Sequence, residues 1–146
     1  MLGEIPAPFP DLCLPNDGVD TPAILRLLRD MTQRLSDAGC CGSWLIVAQN
    51  EVVGLCGYKQ PPSADGKVEI GYGIALGHRD RGHASRAVAA MLEHARRDPA
   101  ILVVTAATAV ANIVSQRVLE RNGFEQTGSS YDPDDGRLLW WQARLR

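Results

Sequence analysis

Residues 69–87 read EIGYGIALGHRDRGHASRA. The run opens as an apolar strand, crosses a basic turn that contains glycine, and enters the first turn of a helix. A turn that leaves backbone N–H groups bare at a helix N-terminus is a cradle for phosphate. Arg79, Arg81 and His83 add positive or protonatable groups beside the main-chain N–H groups of Arg81, Gly82, His83, Ala84 and Ser85. The helix dipole adds roughly half a positive charge at the same place. Gly82 has no Cβ, so a ligand phosphate can come close to the backbone there. Taken alone, the turn also fits a plain strand-to-helix connection that happens to be basic.

Outward from this stretch the pattern alternates. A strand is predicted over 67–76 and a helix over 82–97, with Ala84, Ala87, Val88, Met91, Leu92 and Ala95 on its buried stripe and Pro99 as its stop. The apolar run 101–106 (ILVVTA) reads as a strand covered on both faces. A short helix over 111–121 follows, with Gly123 as its C-terminal glycine. Strands over 124–130 and 137–145 flank the turn 132–136. Upstream, strands over 43–49 and 52–58 form a hairpin around Asn50-Glu51. A helix begins near Asp20 or Thr21, with Pro22 at its first position, and ends at Gly39. Residues 1–19 are proline-rich and read as irregular, with at most a short strand around 12–14. The central strand–helix–strand unit requires a parallel pair and the hairpins are antiparallel, which predicts an α/β mixed sheet with helices on both faces.

The chain has 146 residues, one domain's worth, with 45% hydrophobic and 22% charged residues and a net charge of −2. That balance argues against nucleic-acid binding through a bulk positive field. No apolar run is long enough to span a bilayer, and no basic and apolar leader opens the chain. These features predict a cytoplasmic protein. Cys13, Cys40, Cys41 and Cys56 form no CxxC pair and no zinc-spaced cluster, so plain reduced cysteines and no metal are expected.

A second segment, NIVSQRVLERNGF (112–124), follows at the spacing of one βα unit. Asn112, Ser115 and Leu119 fall at i, i+3 and i+7 and are expected to share a ligand-facing side of the helix, with Ala111, Val114 and Val118 on another stripe. With both segments in hand, the chain resembles the GCN5-related N-acetyltransferases. Arg79-x-x-Gly82-x-Ala84 stands where that family has its Q/R-x-x-G-x-G/A signature. Asn112-x-x-Ser115 and the following Val118-Leu119-Glu120-Arg121-x-Gly123-Phe124 are similar to its downstream half. Ser115 is similar to the branch that acetylates ribosomal-protein N-termini.

The resemblance implies a mostly antiparallel sheet of six or seven strands with a central parallel pair. It implies acetyl-CoA as co-substrate, with its pyrophosphate on the amides of residues 81–85. The pantetheine would run between splayed strands and pair with backbone around Ile74, Ala75 and Leu76, the thioester pointing toward Asn112 and Ser115. The acetyl group would go directly to a primary amine on a protein N-terminus, a peptide or a small molecule. Glu69, expected opposite Val68 and Ile70 on the side of Gly71 and Gly73 where there is open space, is the candidate base, directly or through water, or else an edge carboxylate paired with a surface cation. Ser115 is the candidate group near the leaving thiolate, because Leu119 stands where many members have a tyrosine acid. That departure leaves a silent acyl-CoA-binding domain as the alternative. Asp80 in the phosphate turn would repel a diphosphate unless it turns outward or pairs with Arg79 or Arg81. His78 and His83 read as solvated residues or bases, and Tyr72 as core. Of Trp140 and Trp141, one is expected in the core and the other in a substrate groove or a homodimer contact.

Overall fold

A computed structural model describes residues 2–4, 43–49 and 51–146. The helix expected over 20–39, Asn50, and the cysteines at 13, 40 and 41 lie outside the described residues. Seven strands form one sheet: β1 (Leu2–Glu4), β2 (Ser43–Ala48), β3 (Glu51–Tyr58), β4 (Lys67–Ile74), β5 (Val103–Ala109), β6 (Glu125–Asp132) and β7 (Gly136–Arg144). Helix α1 (His83–Arg96) joins β4 to β5, and helix α2 (Ile113–Arg121) joins β5 to β6. The spatial order is β1-β2-β3-β4-β5-β7-β6. Among the described strands only β4 and β5 run parallel; every other pairing is antiparallel.

The parallel pair is short, and its shortness makes the site. Its register is Lys67↔Val103, Val68↔Val104 and Glu69↔Thr105, and there it ends. Beyond that point β4 stays with β3 through Ile70–Ile74, while β5 stays with β7 through Ala109. The two central strands therefore part into a V that opens toward the start of α1 and the start of α2.

Side chains at alternate positions of the central strands point to one face. Val68, Ile70, Val104, Ala106, Trp141 and Ala143 are buried there against Ala87, Val88, Met91, Leu92 and Ala95 of α1 and Val118 and Leu119 of α2. The α1 positions recur at helical spacing, which is what gives that helix one apolar stripe. Both described helices thus cover the same face. Among the described residues no helix covers the other face. Consistent with this, β5 alternates buried and half-buried positions instead of being uniformly covered as its apolar run suggested. The strand also starts two residues later than expected and continues to Ala109, because Ile101 closes a turn onto the Asp98 carbonyl (3.1 Å). Trp141 is the core tryptophan, its Nε1–H donating to Thr108 Oγ1 at 3.0 Å. Trp140, on the other face, is half-buried and donates to Ser130 Oγ at 2.8 Å. No described helix is long and apolar enough to cross a membrane.

Candidate active site

At the mouth of the V the chain leaves β4 through a short 3-10 turn, Leu76–His78. Asp80 (φ 63°) and Gly82 (φ 79°) both take left-handed backbone, which turns the chain into α1. Gly82 is the N-cap residue, and no side chain caps the helix. The first helical bond runs from the Arg86 N–H to the Gly82 carbonyl at 3.1 Å. The amides of His83, Ala84 and Ser85 precede it and have no intrahelical acceptor. The first turn carries no acidic residue, so the dipole's positive end is not neutralised from within.

The side chains of this turn are placed by their neighbours. Arg79 folds back, its Nε–H donating to the Ile74 carbonyl at 3.0 Å. It is not an ion-pair partner of Asp80, which is exposed. His78 Nε2 lies 3.4 Å from Glu51 Oε2, tying the turn to β3. Arg86, which the motif reading passed over, closes the turn. Its Nη2 donates to the Arg81 carbonyl and to His83 Nδ1, each at 3.0 Å. A guanidinium has donors only, so Nδ1 accepts and His83 is the neutral tautomer protonated on Nε2. Partial burial, then Arg86, His78 and Arg81, hold the His83 pKa below the ordinary histidine value. Glycine suits position 82 because of its left-handed φ; a Cβ there would lie 2.8 Å from Arg86 Nη1 and would have to displace the mobile end of that side chain. The available signal for Arg86 was its i+3 spacing from His83, a helical-neighbour distance.

The backbone expected to meet a pantetheine chain is partly engaged. Ala75 N–H donates to the Val53 carbonyl at 2.8 Å and the Ala75 carbonyl accepts from His78 N–H at 2.9 Å. The Ala75 amide is therefore taken, while the Ile74 and Ala75 carbonyls each keep a second lone pair.

The start of α2 is built differently. Asn112 is its N-cap: Oδ1 accepts from the Ser115 N–H at 3.1 Å. Ser115 Oγ is 2.7 Å from the Tyr72 hydroxyl, which also lies 3.3 Å from the Ser115 carbonyl. Burial raises the Tyr72 pKa, partly opposed by that hydrogen bond. The side shared by Asn112, Ser115 and Leu119 is not uniformly open to a ligand: Asn112 is exposed, Ser115 half-buried and Leu119 in the core. Leu119 is 0% exposed in the core, while Val114, assigned to the packed stripe, is 62% exposed. The helix is rotated so that Val118 and Leu119 reach Phe124 and the sheet, which leaves its first turn over Tyr72. Asn122, at the other end, donates to Ser85 Oγ (3.2 Å), the Ser85 carbonyl (3.3 Å) and the Val118 carbonyl (2.9 Å), locking the two helices together.

Glu69 is the last residue of the parallel pair, on the sheet face opposite Tyr72. Its Oε2 is 3.0 Å from Lys59 Nζ. The open space expected beside it is present at Gly73, where a Cβ would meet nothing within 4 Å. At Gly71 the Lys59 side chain fills it. Cys56 is buried and its thiol pKa is pushed up to about 12, so it stays protonated. The described residues contain no group of three or more His, Cys, Asp or Glu able to hold a metal.

A mixed sheet parted at a central parallel pair, with an uncapped helix start at the opening, defines an acyl-CoA N-acyltransferase fold. The acetyltransferase (GNAT) domain matches residues 17–125, and the chain belongs to that family. An uncharacterized N-acetyltransferase, p20, of Bacillus licheniformis is 28% identical over 118 residues, 76% of this chain and 66% of the relative. The uncharacterized N-acetyltransferase YjdG of Bacillus subtilis (strain 168) is 32% identical over 84 residues, 56% of this chain and 50% of the relative. The chain thus spans about two thirds and half of these relatives' lengths. Among solved structures, the ribosomal L7/L12 alpha-N-protein acetyltransferase RimL in complex with coenzyme A superposes with a TM-score of 0.71 at 21% identity, covering 86% of this chain and 74% of that one. The aminoglycoside acetyltransferase AAC(6')-Ib in complex with coenzyme A and kanamycin gives 0.61 at 18% identity, with 70% and 65% covered. At these identities the two structures speak for the fold alone.

Proposed function

We propose that this chain is an N-acetyltransferase that moves the acetyl group of acetyl-CoA onto a primary amine by direct attack. The observation that carries the reading is the V between β4 and β5 with the bare amides of His83, Ala84 and Ser85 at its mouth. Those amides, with Gly82 and Arg81, would receive the diphosphate. The pantetheine would lie in the V, against the Ile74 and Ala75 carbonyls. The thioester would then sit between Glu69 on one face of the sheet and Ser115, beyond Tyr72, on the other.

In that arrangement the amine nitrogen attacks the thioester carbonyl, a C–N bond forms, and the C–S bond breaks with its electron pair going to sulfur. Glu69 takes the proton the amine must lose, directly or through one water. A cationic amine would compete with Lys59 for the same carboxylate, which brings substrate and base together. Ser115 O–H hydrogen-bonds the leaving sulfur, and solvent returns the final proton. The acceptor is a primary amine, on a protein N-terminus, a peptide or a small molecule. A homodimer contact at Trp140 belongs to the same proposal.

A second reading is a silent acyl-CoA sensor, favoured by the buried Leu119 and the Lys59–Glu69 ion pair. Acetyl-CoA is incubated with a panel of amine acceptors, and acetylated product and CoA thiol are read by mass spectrometry. Acetyl transfer with thiol release is expected. Binding without release on every acceptor would establish the sensor. Absence of a CoA-induced thermal shift would overturn both, since a ligand at a hundredfold excess over Kd stabilises by about 2.7 kcal/mol.

A further inference from the structure

We infer that Tyr72 is a positioning residue for Ser115: its phenol donates to Ser115 Oγ and so turns the serine proton outward, toward the coenzyme sulfur. The inference rests on the acetyltransferase reading and adds to it a residue 43 positions upstream of the serine. The phenol has one proton and two candidate acceptors. Ser115 Oγ is at 2.7 Å, the usual length of a good O–H···O bond, and the Ser115 carbonyl is at 3.3 Å, which is long for one.

The direction of the short bond is the inferred part: the Ser115 carbonyl keeps a second lone pair, but at 3.3 Å it is the poorer acceptor for the phenol than Oγ at 2.7 Å. Ser115 lies in the first turn of α2, so its carbonyl faces the helical N–H four residues on. The Oγ has no such partner. With the phenol donating to Oγ, the serine's single proton is left for a third group. In the reverse arrangement the serine proton would be consumed inside the pair and no donor would face the site. Both ends are rigid. Tyr72 is held in β4 against the core, and the Asn112 cap holds the Ser115 backbone. Burial keeps the phenol in its protonated, donating form across neutral pH. A serine so polarised is a better donor to a thiolate than a free one.

The test needs only coenzyme A as probe. The thiol of bound CoA is titrated by thiolate absorbance, against bound desulfo-CoA as reference, in wild type, Tyr72→Phe, Ser115→Ala and the double variant. In wild type the bound thiol is expected to be more acidic than free CoA. Each single variant should weaken it about tenfold, a pKa higher by about 1, with the Kd for CoA unchanged at pH values where the thiol is protonated and weakened where it is ionised. The double variant should match Ser115→Ala, because the phenol acts through the serine. Placing 3-fluorotyrosine at position 72 keeps the packing and strengthens the donor, so it should make the bound thiol more acidic. A wild-type thiol pKa in Tyr72→Phe or in the fluorotyrosine protein would overturn the inference, and so would additive losses in the double variant. CoA failing to bind wild type would instead remove the acetyltransferase reading, and this inference with it.

Discussion

Two helices begin side by side at the mouth of the same V, and they begin in opposite ways. Helix α1 starts on a left-handed glycine with no side-chain cap. Helix α2 starts on Asn112, whose carboxamide oxygen accepts from the Ser115 N–H. An uncapped helix start retains its amide donors and its dipole for an external anion, whereas a capped one has used a donor internally. Under the proposed function the contrast separates roles that a shared motif list blurs: α1 would receive phosphate, and α2 would hold one hydroxyl still. Asn122, bonded to both Ser85 and Val118, keeps the two starts in register.

The comparison breaks most directly at Gly82. Gly82→Glu is expected to abolish CoA binding, read as complete loss of the CoA-induced thermal shift. A carboxylate about 4 Å from a phosphate charge near the surface costs about 4 kcal/mol, and the Cβ meets Arg86. Retained affinity would show that the anion goes elsewhere.

Next comes the rotation of α2. Leu119→Ala should cost about 2–5 kcal/mol in denaturant unfolding, as a buried core truncation. Leu119→Tyr should also destabilise, by about 1–3 kcal/mol through overpacking. A Leu119→Tyr protein as stable as wild type would return that side chain to the ligand face.

Removing the cap should matter less. Asn112→Ala is expected to lower stability by about 1 kcal/mol while leaving CoA affinity intact, by calorimetry. Lost affinity would make Asn112 a ligand contact rather than a cap.

The smallest effect concerns His83. In the free protein its pKa is depressed, so the unfolded chain takes up a proton near 6.5 while the native state still resists it. The stability that His83 contributes is therefore present above pH 6.5 and lost as pH falls through the native value. A bound diphosphate draws the pKa the other way, offsetting Arg86, His78 and Arg81. Binding then takes up a proton, and CoA affinity should rise as pH falls from 7.5 toward 6. His83→Ala should flatten that component of the pH profile; an unaltered profile would place the ligand charge away from the imidazole.

Much of this was legible from local rules. The strand–turn–helix reading of 69–87, Gly123 as a helix-terminating glycine (φ 82°), and the parallel step between β4 and β5 follow from residue chemistry and chain handedness, whereas the left-handed φ of Gly82 came from the structure. Glu69 was correctly placed on the face of Gly71 and Gly73, because strand periodicity is two. What failed was the angle of α2. Helical spacing groups Asn112, Ser115 and Leu119, yet spacing does not say which group faces the sheet, and the cap removed Asn112 from the periodic face altogether. Tyr72 was read as core because its strand position is core-facing; its ring is, and its hydroxyl reaches beyond it. Arg86 and Lys59 were missed because their partners are set by loop closure.

By itself, then, the order of residues determined most of the strands and helices over 51–146, since those depend on neighbours a few positions away; it did not show β1 (Leu2–Glu4), which lies in a segment read as irregular and is defined only by pairing with β2. Only the tertiary structure decided that the parallel pair parts after Glu69–Thr105, that Leu119 goes inward, and that Tyr72 meets Ser115 at 2.7 Å. These depend on how α1 and α2 share one face of the sheet, a packing of apolar surfaces that many spacings of the same motif would satisfy.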